Sequence, residues 1–139
     1  MKYDAWDKIE NLIEEPSLGY LISYAQHGMP YHIFEKNADN WPFNQTEWSK
    51  LLHLSERTFQ RYKKENKIFE SIYTEKILEL ILLLNQGKSI FGSERNFYDW
   101  LNSPCLAFNN LKPISFIDNT FGIAMVKNEL GRIVNGIFS

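Results

Sequence analysis

Between Asn44 and Lys64 the sequence starts two helices with almost no chain between them. Asn44 with Glu47 three residues on has the form of a capping box, heading a helix through Leu52. Ser55 caps a second helix through about Lys64, and only His53 and Leu54 separate the two. A connection that short forces an angular helix pair, the geometry of a helix-turn-helix. No other stretch restricts the fold as strongly.

Helical spacing continues on both sides. Trp6, Ile9, Leu12 and Ile13 recur among acidic residues over 3–15, and Pro16 stops them. From Ser17, the positions Leu18, Leu21, Ile22 and Ala25 follow an amphipathic helix that Gly28 closes, and Pro30 suits the first turn of a short helix through Ala38. The NADNWPF stretch reads as a loop, and KIFESIY as a boundary. Thr74 is the expected cap of a long helix with Ile77, Leu80, Ile81 and Leu84 on one face. Leu78, Leu82 and Leu83 widen that face, which predicts burial on more than one side. Gly87 lies inside the pattern at a cost of about 1 kcal/mol relative to Ala, and Gly92 is the better terminator. Ser93 caps a helix burying Phe97, Trp100 and Leu101, which Pro104 ends. Pro113 opens a one-turn helix with Ile114 and Ile117, and Asn119 caps a last helix striped by Val126, Leu130, Ile133 and Val134. Period-two alternation is absent, so no strand is expected and the fold class is all-α.

A hydrophobic content of 44% with 15% aromatics supplies a packed core for one domain or two small ones. The net charge of -2 means that any nucleic-acid binding must come from a local patch. Cys105 is the single cysteine, which excludes a disulfide framework and a Cys-rich zinc site; it reads as a small buried hydrophobe. His27, His32 and His53 lack ligand spacing, and there is no phosphate loop, nucleophile elbow or isolated acid pair. Neither enzyme activity nor a cofactor is expected. The acidic N-terminal stretch is no signal peptide, and Ile77–Leu84 is too short an apolar run to span a bilayer, so a cytoplasmic protein is the default.

Two segments carry functional candidates. Between Lys50 and Lys67 lie six basic residues (Lys50, Arg57, Arg61, Lys63, Lys64, Lys67) against Glu56 and Glu65, whereas residues 1–40 hold seven acids against three lysines. On a helix after Ser55, Phe59 and Tyr62 face inward, and Arg57, Thr58, Gln60, Arg61 and Lys64 fall outside, with Lys63 beside them. Arg and Gln suit purine edges while Lys and Thr suit phosphates, which is what a recognition helix requires. An ordinary solvated face is the alternative reading. The other segment is the GRIVNGIFS tail, where Ile137 and Phe138 follow an apparent helix stop at Gly136. Both apolar side chains need a dock, either on Leu130 and Ile133 as the contact of a glycine cap or on another molecule.

The segment NNLKPISFIDNTFGIAMVKNELGRIVNGIFS resembles the C-terminal toxin-binding domain of Xre-type antitoxins, the partners of RES-domain toxins (the MbcA/ParS group). Pro113, Ile117-Asp118, Gly122, Val126, Leu130-Gly131-Arg132-Ile133, Gly136 and Phe138 fit that family's pattern in order and spacing. LSERTFQRYKK and FGSERNFYDWLNSP are similar to its recognition helix and its Phe-Gly…Trp-Leu…Pro segment. The resemblance runs from about Ser17 to Ser139. Asn109-Asn110 stand where the family often has Gly-Gly; Asn is the next-best residue for left-handed backbone, so the turn can survive. Lys112 replaces a frequent Thr or Ser, and Asn119 replaces Thr while keeping a cap.

Residues 1–16, outside the resemblance, read as an acidic helix or arm; the resemblance implies an Xre/Cro-like helix-turn-helix domain over 17–70 and a toxin-binding domain over 74–139. It implies an antitoxin that covers the active-site entrance of a RES-domain, NAD-consuming toxin and binds operator DNA to repress its own operon. A homodimer within a larger toxin–antitoxin complex is the expected assembly. On this reading Arg132, Asn135, Gly136, Ile137, Phe138 and Ser139 reach the toxin. Phe138 is then the apolar anchor, Arg132 pairs with a carboxylate, and the Ser139 carboxylate meets a cation. A stand-alone transcription regulator, or a protein-binding module whose helix-turn-helix serves only dimerisation, are the alternatives.

Overall fold

The computed structural model describes residues 18–137, with the side chains of residues 22–136. The expected helix over 3–15 lies outside the described residues, as do Phe138 and Ser139. Helix α1 (Leu18–His27) is closed by Gly28, whose φ of 80° suits glycine; a Cβ there would lie 2.5 Å from the Phe69 carbonyl oxygen. A two-residue strand β1 (Met29–Pro30) leads into α2 (Tyr31–Ala38). Then come α3 (Gln45–Leu52) and α4 (Glu56–Glu65), a second short strand β2 (Ile68–Phe69), the long α5 (Ser71–Phe91) and α6 (Glu94–Leu101). Two 3-10 turns, Leu106–Phe108 and Pro113–Phe116, precede the last helix, α7 (Thr120–Ile137).

The caps read from the sequence form. Asn44 accepts the Glu47 amide at 2.8 Å while Glu47 accepts the Asn44 amide at 3.0 Å, completing the capping box. Ser55 accepts the Thr58 amide, Ser93 the Asn96 amide and Asn119 the Gly122 amide. His53, in left-handed conformation at φ 56°, turns the chain between α3 and α4. Asn109 and Asn110 both take positive φ, so the turn that glycines often make survives here.

Four expectations change. β1 and β2 pair antiparallel, with Met29 opposite Phe69 and Pro30 opposite Ile68; two residues per strand are too few to show a period of two. Pro30 therefore sits just before α2 rather than inside its first turn. Thr74 caps nothing, because α5 already starts at Ser71. Its fully buried hydroxyl accepts the Met29 amide at 3.0 Å and donates to the Phe69 carbonyl at 3.1 Å, riveting the strand pair to α5. Finally, α7 runs through Gly136 to Ile137, so Gly136 is a helical residue and no stop.

The core has two aromatic centres. Phe59 and Tyr62 of α4 face inward, onto Tyr31, Phe34 and Phe69. The second gathers Phe91, Phe97 and Trp100, and the Trp41–Phe43 loop joins the two through Trp48, Phe97 and Tyr98. Helix α5 runs between them, packed on α1, α3, α6 and α7. Ile77, Leu78, Leu80, Leu83 and Leu84 are all buried, as its wide apolar face requires. Cys105 is half-buried against this core, and Trp100 is half-buried too.

Candidate functional site

The geometry gives two exposed faces. The first is the outer side of α4. Its inward anchors, Phe59 and Tyr62, hold the helix rigidly, and Arg57, Gln60, Arg61, Lys63 and Lys64 are exposed while Thr58 is half-buried. Arg57, Thr58, Gln60, Arg61 and Lys64 line one shallow groove, with Glu65 beside them. Lys63 turns away toward Glu35 of α2, at 3.8 Å. Two of the polar groups are already engaged. Gln60 donates to Gln45 at 3.0 Å, and the Thr58 hydroxyl accepts from Ser55 at 2.9 Å. Arg57, Arg61 and Lys64 make no hydrogen bond or ion pair among the described residues, so their full donor capacity points outward. The Gln60–Gln45 bond and a Thr46–Glu56 bond at 3.0 Å also brace α4 against α3, fixing the angle of the pair.

The second face is on α7. Val126 and Leu130 are fully buried and Ile133 and Val134 half-buried, as the stripe predicts. Of the tail residues, Arg132, Asn135 and Gly136 are exposed. Arg132 is held by Glu129 one turn back, with Nε donating at 2.8 Å, so its charge is partly answered within the helix. Ile137 ends the helix, and its side chain, Phe138 and Ser139 lie outside the described residues. The reading of the tail as a glycine-cap contact loses its basis, since Gly136 is not left-handed.

Sequence reasoning missed two residues on this helix. Phe121 is 81% and Met125 40% exposed, one turn apart. A helical wheel finds them: Phe121 stands roughly 140° from Val126 at 100° per residue, well off the buried stripe.

The faces are mechanically joined. The Tyr98 hydroxyl of α6 donates to both carboxylate oxygens of Glu47, at 2.9 and 3.1 Å, at the start of α3. Burial, and then Glu47, hold the Tyr98 hydroxyl above its ordinary pKa, so it remains a donor. His53 Nε2 lies 2.9 Å from the Asp118 carbonyl oxygen and 3.2 Å from its carboxylate. Lys76 also donates to that carbonyl, and Thr120 donates to Glu79 at 3.1 Å. The turn between α3 and α4 is thus pinned to the step that opens α7. Among the described residues there is no cluster of three metal-ligating side chains, and no helix is long and apolar enough to cross a membrane.

An angular helix pair with a basic outer face, braced by a second helical lobe, defines a helix-turn-helix protein with an appended domain. Residues 21–82 match the antitoxin Xre-like helix-turn-helix domain. Residues 86–136 match the antitoxin Xre/MbcA/ParS C-terminal toxin-binding domain. The chain belongs to the Xre-type antitoxins, a family of toxin-neutralising proteins and not of enzymes. No curated protein matches it.

Proposed function

We propose that this antitoxin neutralises a RES-domain, NAD-consuming toxin by covering the entrance of its active site, and that it represses its own operon in the cytoplasm as a DNA-bound homodimer. The observation that carries the toxin half is the matched toxin-binding domain itself, whose last helix presents Arg132, Asn135 and Gly136 to solvent just before the tail. The DNA half is supported by three outward basic side chains without partners among the described residues, on a helix buttressed from within. Paired helix-turn-helix units reading two half-sites bind far better than one, which favours the dimer. The domain division at residues 70–74 belongs to the same proposal, with α5 serving both lobes.

The test is co-expression with the adjacent RES-domain gene product, following cellular NAD and growth. Full-length protein should protect, and a version ending at Asn135 should not while staying folded. Equal protection by the truncation removes the tail from the mechanism; no protection by either form refutes the assignment. For DNA, anisotropy with the upstream operator and an Arg57→Ala/Arg61→Ala variant should show a loss of about 1–3 kcal/mol per arginine. Binding at background level, unchanged in the variant, would leave the helix-turn-helix a structural element.

A further inference from the structure

Helix α7 has a bare side that its own domain does not explain. At 100° per residue, Phe121, Met125, Asn128, Arg132 and Asn135 fall within about 40° of a common line down the helix. All five are exposed. Phe121 is left largely in water at 81%, and Met125 beside it is 40% exposed. Flanking this line, Gly131 sits mid-helix, where glycine costs about 1 kcal/mol relative to Ala. Gly122 has an internal reason, because a Cβ there would collide with the Phe116 carbonyl. Gly131 has none: a Cβ would meet nothing within 4 Å, and the same holds at Gly136. A helix that keeps a costly glycine facing open space is shaped for something that comes close.

We propose that the toxin is gripped along the whole outer face of α7, with Phe121 and Met125 as apolar anchors and Gly131 admitting close approach of the toxin's surface. This rests on the antitoxin reading and extends it: the interface begins at the start of the helix, more than three turns before the tail. The face lies wholly within the matched toxin-binding domain, which names its occupant. Its chemistry also limits what the toxin offers. Arg132 is partly answered by Glu129, so what meets Phe121 and Met125 is an apolar depression rather than an acidic patch.

The experiment is calorimetric titration of full-length antitoxin into a catalytically inactive RES-domain toxin from the adjacent gene. Phe121→Ser/Met125→Ser should weaken Kd by about 30-fold or more, the loss expected on removing a central aromatic anchor. Ile72→Ser, at a residue 70% exposed at the start of α5 and outside the matched toxin-binding domain, should change Kd less than about threefold. If the double variant melts early, Gly131→Gln, which a helix accepts, takes its place and should also weaken binding. Wild-type affinity in a folded double variant, or in Gly131→Gln, overturns the proposal, as does an equal loss in Ile72→Ser. Absence of binding by the wild type instead refutes the toxin assignment on which it rests.

Discussion

Replacing glycine by alanine inside a helix ordinarily stabilises it by about 1 kcal/mol, but at Gly87 the sign reverses. Gly87 is buried in α5, and an added Cβ would overlap the ring of Phe97. That ring is fully buried and has no free side. It stacks on Phe91 at 5.6 Å and on Trp100 at 5.7 Å, and meets Trp41 edge-on at 6.2 Å. Making room means moving four aromatic rings or bending α6 away from α5. Overpacking of this kind costs about 1–3 kcal/mol, so the propensity gain is cancelled and a net loss of up to about 2 kcal/mol remains. Gly131→Ala is the internal control. It is the same chemical change into open space, and it should raise stability by about 0.5–1 kcal/mol. Urea unfolding followed by tryptophan fluorescence reads both, with the midpoint falling in the first variant and rising in the second at constant slope. A higher midpoint for Gly87→Ala would refute the close-packing argument.

Thr74→Val strips two bonds from a site with no water access, orphaning the Met29 amide and a Phe69 acceptor bond, and should lower unfolding free energy by about 2–4 kcal/mol. Hydrogen exchange should show Met29 and Phe69 opening before α5. Tyr98→Phe removes the donor to Glu47 and should cost about 1–2 kcal/mol. Its loss should shrink in a Glu47→Gln background if the pair is the cause, and a fully additive cycle speaks against it. Burial, then Glu35 and Asp39, push the Tyr31 hydroxyl up from 10.0 to about 12. The folded state then holds a proton that the unfolded chain releases. Its contribution, about 2–3 kcal/mol, is complete below pH 10 and is lost as pH rises toward 12. Tyr31→Phe should flatten that part of a stability-versus-pH curve.

Legibility followed the range of the forces involved. Capping needs a side chain and an amide three residues apart, so Asn44, Ser55, Ser93 and Asn119 were readable from their neighbours, and each cap forms. The inward set on α4 follows from helical period alone, and so does the buried stripe of α7. Thr74 shows where that reasoning stops. A threonine before an apolar run looks like a cap, but here its hydroxyl bridges the strand pair, accepting from Met29, 45 residues away, and donating to Phe69. The strand pair itself is too short to leave a pattern.

The candidate site divides the same way. The amino-acid order determined which α4 residues face out, which family the two halves belong to, and that the Leu-Gly-Arg-Ile step lies on the last helix. Only the tertiary structure decided which of those side chains remain available. Lys63 is claimed by Glu35 and Gln60 by Gln45, while Phe121 and Met125 stay uncovered. It also decided the meaning of the glycines, since Gly87 makes room for a ring and Gly131 faces open space. Periodicity is a property of one helix and is written in its own residues. Occupancy of a surface depends on what another element brings to it, and that is settled only when the chain packs.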